Sequence, residues 1–162
     1  MPEQRSTSGD FRNSGFSLIE LMVTIAILAV LAMVAIPEMT ALLKNTKLKT
    51  APRHLVSTLQ EMKLRAVKEN AITVLIIDEA NDEYTAFLDN NSDKILDTNE
   101  EIIAQIDLQN DQLAIISSTS SKKLGFNGRG LLDSGACTIT ITNSTGRQKE
   151  VVINLMGNIR VD

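Results

Sequence analysis

Phe16-Ser17-Leu18-Ile19-Glu20-Leu21-Met22-Val23-Thr24-Ile25-Ala26-Ile27-Leu28-Ala29-Val30-Leu31-Ala32-Met33-Val34-Ala35-Ile36 decides how the rest of the chain is read. Eighteen of these 21 residues are apolar. As a helix the stretch would measure roughly 31 Å, enough to cross the hydrocarbon core of a bilayer. A secretory signal has an apolar core of about 7 to 15 residues and ends in a small-x-small cleavage site. Here the run is longer, and Pro37-Glu38 follows it. Ahead of it stands a polar leader, Met1 to Ser14, with Arg5 and Arg12 offset by Glu3 and Asp10, and then Gly15.

Glu20 breaks the apolar pattern. A carboxylate at membrane depth is costly and calls for a partner. If the chain were cut after Gly15, a new α-amino group would appear on Phe16, and a glutamate five residues in could pair with the amino terminus of a neighbouring copy.

Composition excludes most enzyme chemistry. With 162 residues the chain has room for one globular unit plus an appendage. One cysteine, Cys137, cannot close an internal disulfide, and one histidine, His54, cannot supply a His-rich zinc site or a histidine-based triad. His54 is expected on a helix surface and Cys137 as a small strand residue, so no catalytic residues are assigned. A net charge of -4 argues against coating nucleic acid by bulk electrostatics.

Beyond Pro37 the period is helical: Met39, Leu42, Leu43, then Leu55, Val56, Leu59, Met62, Ala66 and Val67 at spacings of three and four. This is an amphipathic helix, with a bend or break expected at Pro52 and Glu61 and Arg65 as an i,i+4 surface pair. From Asn70 onward the period changes to two. Strands are expected at 72–77, 84–88, 101–108, 112–116, 124–126, 137–142, 151–154 and 158–161, separated by turns rich in Gly, Asn and Ser. The fold class is α+β, a long helix whose C-terminal half packs on an antiparallel β-sheet domain.

Gly15-Phe16-Ser17-Leu18-Ile19-Glu20-Leu21-Met22-Val23-Thr24 resembles the class III signal of type IV pilins and the pseudopilins of type II secretion systems. Leu59 to Asn70, Phe126-Asn127-Gly128-Arg129-Gly130 and Gly157-Asn158-Ile159-Arg160 resemble the helix end, the Phe-x-x-x-Gly turn and the closing strand of the GspH/FimT family. The resemblance implies a type IV pilin-like fold in four parts: a cleaved leader 1–15, a transmembrane and filament helix 16–37, an amphipathic continuation 38–70, and a periplasmic β domain 71–162. It implies cleavage by prepilin peptidase between Gly15 and Phe16, N-methylation of Phe16, assembly through Glu20 and a helix kink at Pro37. The implied partners are that peptidase, other pilins or pseudopilins in a helical filament, and an inner-membrane assembly platform. The implied place is the bacterial inner membrane, single-pass, with the C-terminal domain in the periplasm until the subunit enters a pseudopilus or pilus. The implied function is that of a structural minor pseudopilin in type II secretion. The alternative is a FimT-type minor pilin in type IV pilus assembly or DNA uptake.

Charge near the apolar segment conflicts with that topology. Lys44, Lys47, Lys49 and Arg53 follow it, against two arginines before it, so the positive-inside rule alone would leave the C-terminal side in the cytoplasm. The cleavage motif is the more specific signal, and the topology follows it.

Two further sets of residues invite a reading. Asp89, Asn91, Asp93, Asp97 and Glu100 fall at positions 1, 3, 5, 9 and 12 of an EF-hand-type calcium loop, but Lys94 occupies the sixth, where such loops need glycine. The loop reads either as a calcium site or as a solvated acidic hairpin turn. In FimT-type pilins that bind DNA the closing motif carries two arginines. Here Asn158 stands at the first and Arg160 at the second, so a nucleic-acid surface would rest on Arg129, Arg147, Lys149 and Arg160.

Charge is also segregated along the chain. Lys44 to Lys68 sums to +6, Asp78 to Asp111 to -10, and Ser117 to Asp162 to +3. These are either solvated faces or complementary surfaces that steer neighbouring subunits into register.

Overall fold

A computed structural model describes residues 16–119 and 122–162. The leader 1–15, including Gly15, lies outside the described residues. The chain divides at Met39/Thr40 into two compact units.

One helix, α1 (Leu18–Glu69), dominates the first part of the chain. From Phe16, two residues ahead of it, to Ile36 in its opening stretch, every residue is exposed except the half-buried Ala32. The stretch is long and apolar enough to cross a membrane. The helix continues through Pro52, where the sequence pattern suggested a bend or break. Proline cannot donate to the carbonyl four residues back, but Pro52 is buried in the helix face that meets the core, so packing holds the turn. The helix ends at Asn70, whose φ of 50° is left-handed, with the Ala71 N–H donating to Ala66 O at 3.1 Å.

Among the described residues eight strands follow: β1 (Ile72–Asp78), β2 (Glu83–Asp89), β3 (Ile102–Asp107), β4 (Leu113–Ser117), β5 (Lys123–Phe126), β6 (Cys137–Asn143), β7 (Gln148–Ile153) and β8 (Ile159–Val161). Each overlaps a run read from the sequence. They form two antiparallel four-stranded sheets rather than one, ordered β3-β2-β1-β5 and β4-β6-β7-β8. After β3 a 3-10 turn at Gln109–Asp111 leads into β4, which pairs with β6, while β5 returns to the free side of β1. β6 alternates strictly: Cys137, Ile139, Ile141 and Asn143 point inward, and Thr138, Thr140 and Thr142 are half-buried.

The core lies where the C-terminal half of α1 meets both sheets. Leu48, Ala51, Leu55, Leu59, Met62 and Ala66 recur at three- and four-residue spacing and pack with Leu75, Ile77, Tyr84, Ile115, Ile139 and Val151. The Thr73 hydroxyl donates to Met62 O at 3.3 Å and ties β1 to the helix. Val67, read as part of the apolar stripe, is 51% exposed, and the stripe begins instead at Leu48. Register partners Val74 and Phe87 are buried outside that cluster, so the first sheet is covered on its second face as well.

Candidate functional site

Phe16 precedes α1 and is 82% exposed, and Glu20 lies exposed in the first helical turn. Both stand beside an apolar helix surface that is exposed among the described residues. Met39, Leu42 and Leu43 continue that exposed surface at 61%, 63% and 55%. Pro37 lies inside α1 and brings no amide hydrogen to the helical ladder. An uncovered apolar helix of this length needs either lipid or other helices around it.

The second feature joins the two turns read from the sequence. In Phe126 to Gly130, the Asn127 side-chain oxygen accepts from Arg129 N at 2.9 Å and Leu131 N at 3.2 Å, and Gly130 N donates to Asn127 O at 2.8 Å. Gly157, in the β7–β8 turn, has φ +70°, and a Cβ there would stand 2.5 Å from Gly130 O and 3.2 Å from the Phe126 ring. Gly130 has φ +73° and packs against Lys63 and Val67. Lys63, from α1, donates to Gly157 O at 2.8 Å. Helix, turn and closing strand thus meet at one point, where Gly157 is required because backbone approaches backbone and Gly130 because of its left-handed φ. Lys63 was not distinguishable in the sequence, since an exposed-looking lysine beside a core methionine carries no pattern of its own.

The acidic loop is closed on itself. Asp89 is buried, and its carboxylate accepts from Ser92 N at 2.6 Å and Lys94 N at 3.0 Å. The Asn91 amide donates to Asp93 and Asp97, each at 3.0 Å, and Asp93 accepts from Ile95 N at 2.7 Å. Glu100 accepts from Asn90 N at 2.9 Å and Asp97 N at 3.0 Å. Lys94 takes a left-handed φ of 59°, where an EF-hand loop has glycine, and its ammonium reaches Asp133 at 2.8 Å. The five residues share one loop, but their oxygens are turned onto N–H groups. Among the described residues no three His, Cys, Asp or Glu side chains gather to hold a metal.

The four basic residues read as a nucleic-acid surface stand on different elements. Arg129 is exposed in its turn, Arg147 and Lys149 are exposed at the start of the β7 hairpin strand, and Arg160 on β8 pairs with Asp162 at 2.7 Å. His54 is exposed on α1. Cys137 is buried at the start of β6, and that burial pushes its thiol above the ordinary cysteine range against a smaller opposing hydrogen bond with Thr119.

Comparison with known proteins agrees with this architecture. Residues 10–36 match the prokaryotic N-terminal methylation motif, a span that brackets Gly15, Phe16 and Glu20. Over 154 residues the chain is 27% identical to pilin-like protein PilA1 of Thermus thermophilus, covering 91% of this chain and 97% of that protein. Two solved folds are similar to it. The minor pseudopilin EpsH of the Vibrio cholerae type 2 secretion system has a TM-score of 0.57 at 15% identity, covering 72% of this chain and 96% of that one. The type IV minor pilin FimU of Pseudomonas aeruginosa has a TM-score of 0.56 at 17% identity, covering 73% and 90%. Residues 51–157, the C-terminal part of α1 and nearly all of both sheets, match the family model for type II transport protein GspH. The chain therefore belongs to the GspH family, a structural and non-enzymatic branch of the type IV pilin-like proteins.

Proposed function

We propose that this chain is a minor pseudopilin of a type II secretion system, cut by prepilin peptidase between Gly15 and Phe16 and methylated on the new Phe16 amino terminus. It then waits in the inner membrane with its β domain in the periplasm, until the assembly platform draws it into a short filament of other pseudopilins. The observation that carries this reading is the division of labour within α1: its opening stretch to Ile36 is an exposed apolar surface with one carboxylate, Glu20, and its C-terminal half packs in the core. Glu20 pairs with the Phe16 amino terminus of an adjacent subunit, which neutralises both charges away from water. Pro37 gives the filament helix its kink. The GspH family match supports secretion over piliation.

A second reading, a minor pilin in type IV pilus assembly or DNA uptake, is supported by the likeness to the Thermus pilin-like protein along nearly the whole chain. Deleting the gene and assaying protein secretion, twitching and DNA uptake in parallel separates the two. Loss of secretion alone supports the pseudopilin reading, and loss of twitching or uptake with normal secretion overturns it. Gly15→Ala tests processing: the intact mass should retain the leader, and a normally processed mass would remove the peptidase assignment.

A further inference from the structure

Five cations of the folded domain form ion pairs with side chains among the described residues. Lys47 pairs with Asp111, Arg65 with Glu61 and Glu101, Lys94 with Asp133, Lys122 with Glu79 and Arg160 with Asp162. Lys49, Arg53 and Lys149 have no ion pair among the described residues, and they converge. Lys49 and Arg53 stand one turn apart on α1, Lys149 faces them from β7, and together with Pro52 and Val161 they line a hollow of about 250 Å³. No acidic side chain lines it. Three like charges around one hollow repel one another, and an anion seated between them reverses that repulsion.

We infer that this hollow seats the phosphate of an anionic phospholipid headgroup, an inference that rests on the membrane reading above. A phosphate presents several acceptor oxygens to donors arriving from different elements, which suits two lysine point charges and one guanidinium fork. The apolar surfaces of Pro52 and Val161 suit the carbon atoms attached to a headgroup phosphate. The occupant is a lipid rather than a nucleic acid for two reasons. No aromatic side chain lines the hollow to stack a base. The same helix also carries the membrane-length apolar segment. Lys49 and Arg53 belong to the basic flank that runs against the positive-inside rule. Binding headgroups of the outer leaflet gives those charges a role on that side of the membrane.

The test uses the full chain in non-ionic detergent and limited acetylation of lysine amines read by peptide mass spectrometry. Inorganic phosphate at about ten times its dissociation constant leaves roughly a tenth of the seat empty, so Lys49 and Lys149 should acetylate about tenfold more slowly. Lys68 serves as the reference and should be unchanged. Arg53→Gln, a change at an exposed position checked by its thermal midpoint, should require a higher phosphate concentration for the same protection. In nanodiscs without phosphate, bilayers containing phosphatidylglycerol should protect both lysines and pure phosphatidylcholine should not. No protection by phosphate in detergent overturns the seat. Protection by phosphate with equal reactivity in the two bilayers overturns the headgroup as its source, and protection by duplex DNA alone replaces it with a nucleic acid. Failure of the chain to float with either bilayer is a failure of the membrane reading, which the detergent arm does not depend on.

Discussion

The Lys63 ammonium donates to the Gly157 carbonyl at 2.8 Å, joining residues 94 positions apart in the chain. Through this bond the helix end holds the β7–β8 turn against the Phe126–Gly130 turn, where Gly157 meets Gly130 O and the Phe126 ring. Gly157→Ala forces a Cβ to within 2.5 Å of a backbone oxygen at a residue with φ +70°. The expected loss is about 2 kcal/mol or more, since both strain and displacement of backbone contribute. Lys63→Met keeps the packing of the aliphatic stem and should lose about 1 kcal/mol. Urea unfolding of both variants checks the order.

Asp89 anchors the loop after β2 with both carboxylate oxygens on backbone N–H groups. Asp89→Asn turns one acceptor of the buried Asp89 side chain into a donor facing a backbone N–H, so stability should fall by about 1 to 3 kcal/mol. Because the carboxylates of this loop already accept from amides, millimolar calcium should leave the wild-type thermal midpoint unchanged. A rise would mean that the loop reopens to ligate the ion.

Cys137 should be a slow thiol. Its raised pKa, caused first by burial, keeps it protonated at neutral pH, and the thiol itself is inside the core. Ellman-type titration of the native chain should show little reaction, with full reaction after denaturation. Fast native labelling would contradict the packing of β6.

Glu79 is held below the ordinary glutamate range, first by its bond to the Lys122 ammonium and next by the Ser117 N–H. A carboxylate whose folded pKa is depressed stabilises the fold above its unfolded pKa, and that contribution disappears as pH falls through the folded value. Glu79→Gln should therefore bring the thermal midpoint toward that of wild type as pH drops through the acidic range. A gap that stays constant with pH would remove the charge from the explanation.

Much of this architecture was legible before any coordinates. The eight period-two runs correspond to strands because β-rich runs bounded by turn residues are a local signal, legible within a few residues. The arrangement into two sheets was not legible, because β1 with β5 and β4 with β6 pair across long separations that leave no local signature. No break occurs at Pro52, since α1 runs on to Glu69 with Pro52 buried, a burial that the local sequence does not show. The calcium-like spacing at Asp89 to Glu100 was visible, but spacing does not say whether the oxygens face a cavity or their own backbone. Conversely, Gly130 and Gly157 could be singled out by motif, and the structure supplies the reason: they meet.

The central claim is that Glu20, exposed in the first turn of an uncovered apolar helix, pairs with the Phe16 amino terminus of another subunit. Its most direct measurement is incorporation of Glu20→Ala into filaments, by immunoblot of sheared filaments beside the membrane fraction. The account predicts wild-type processing and membrane insertion with incorporation lost. Incorporation at the wild-type level would contradict it.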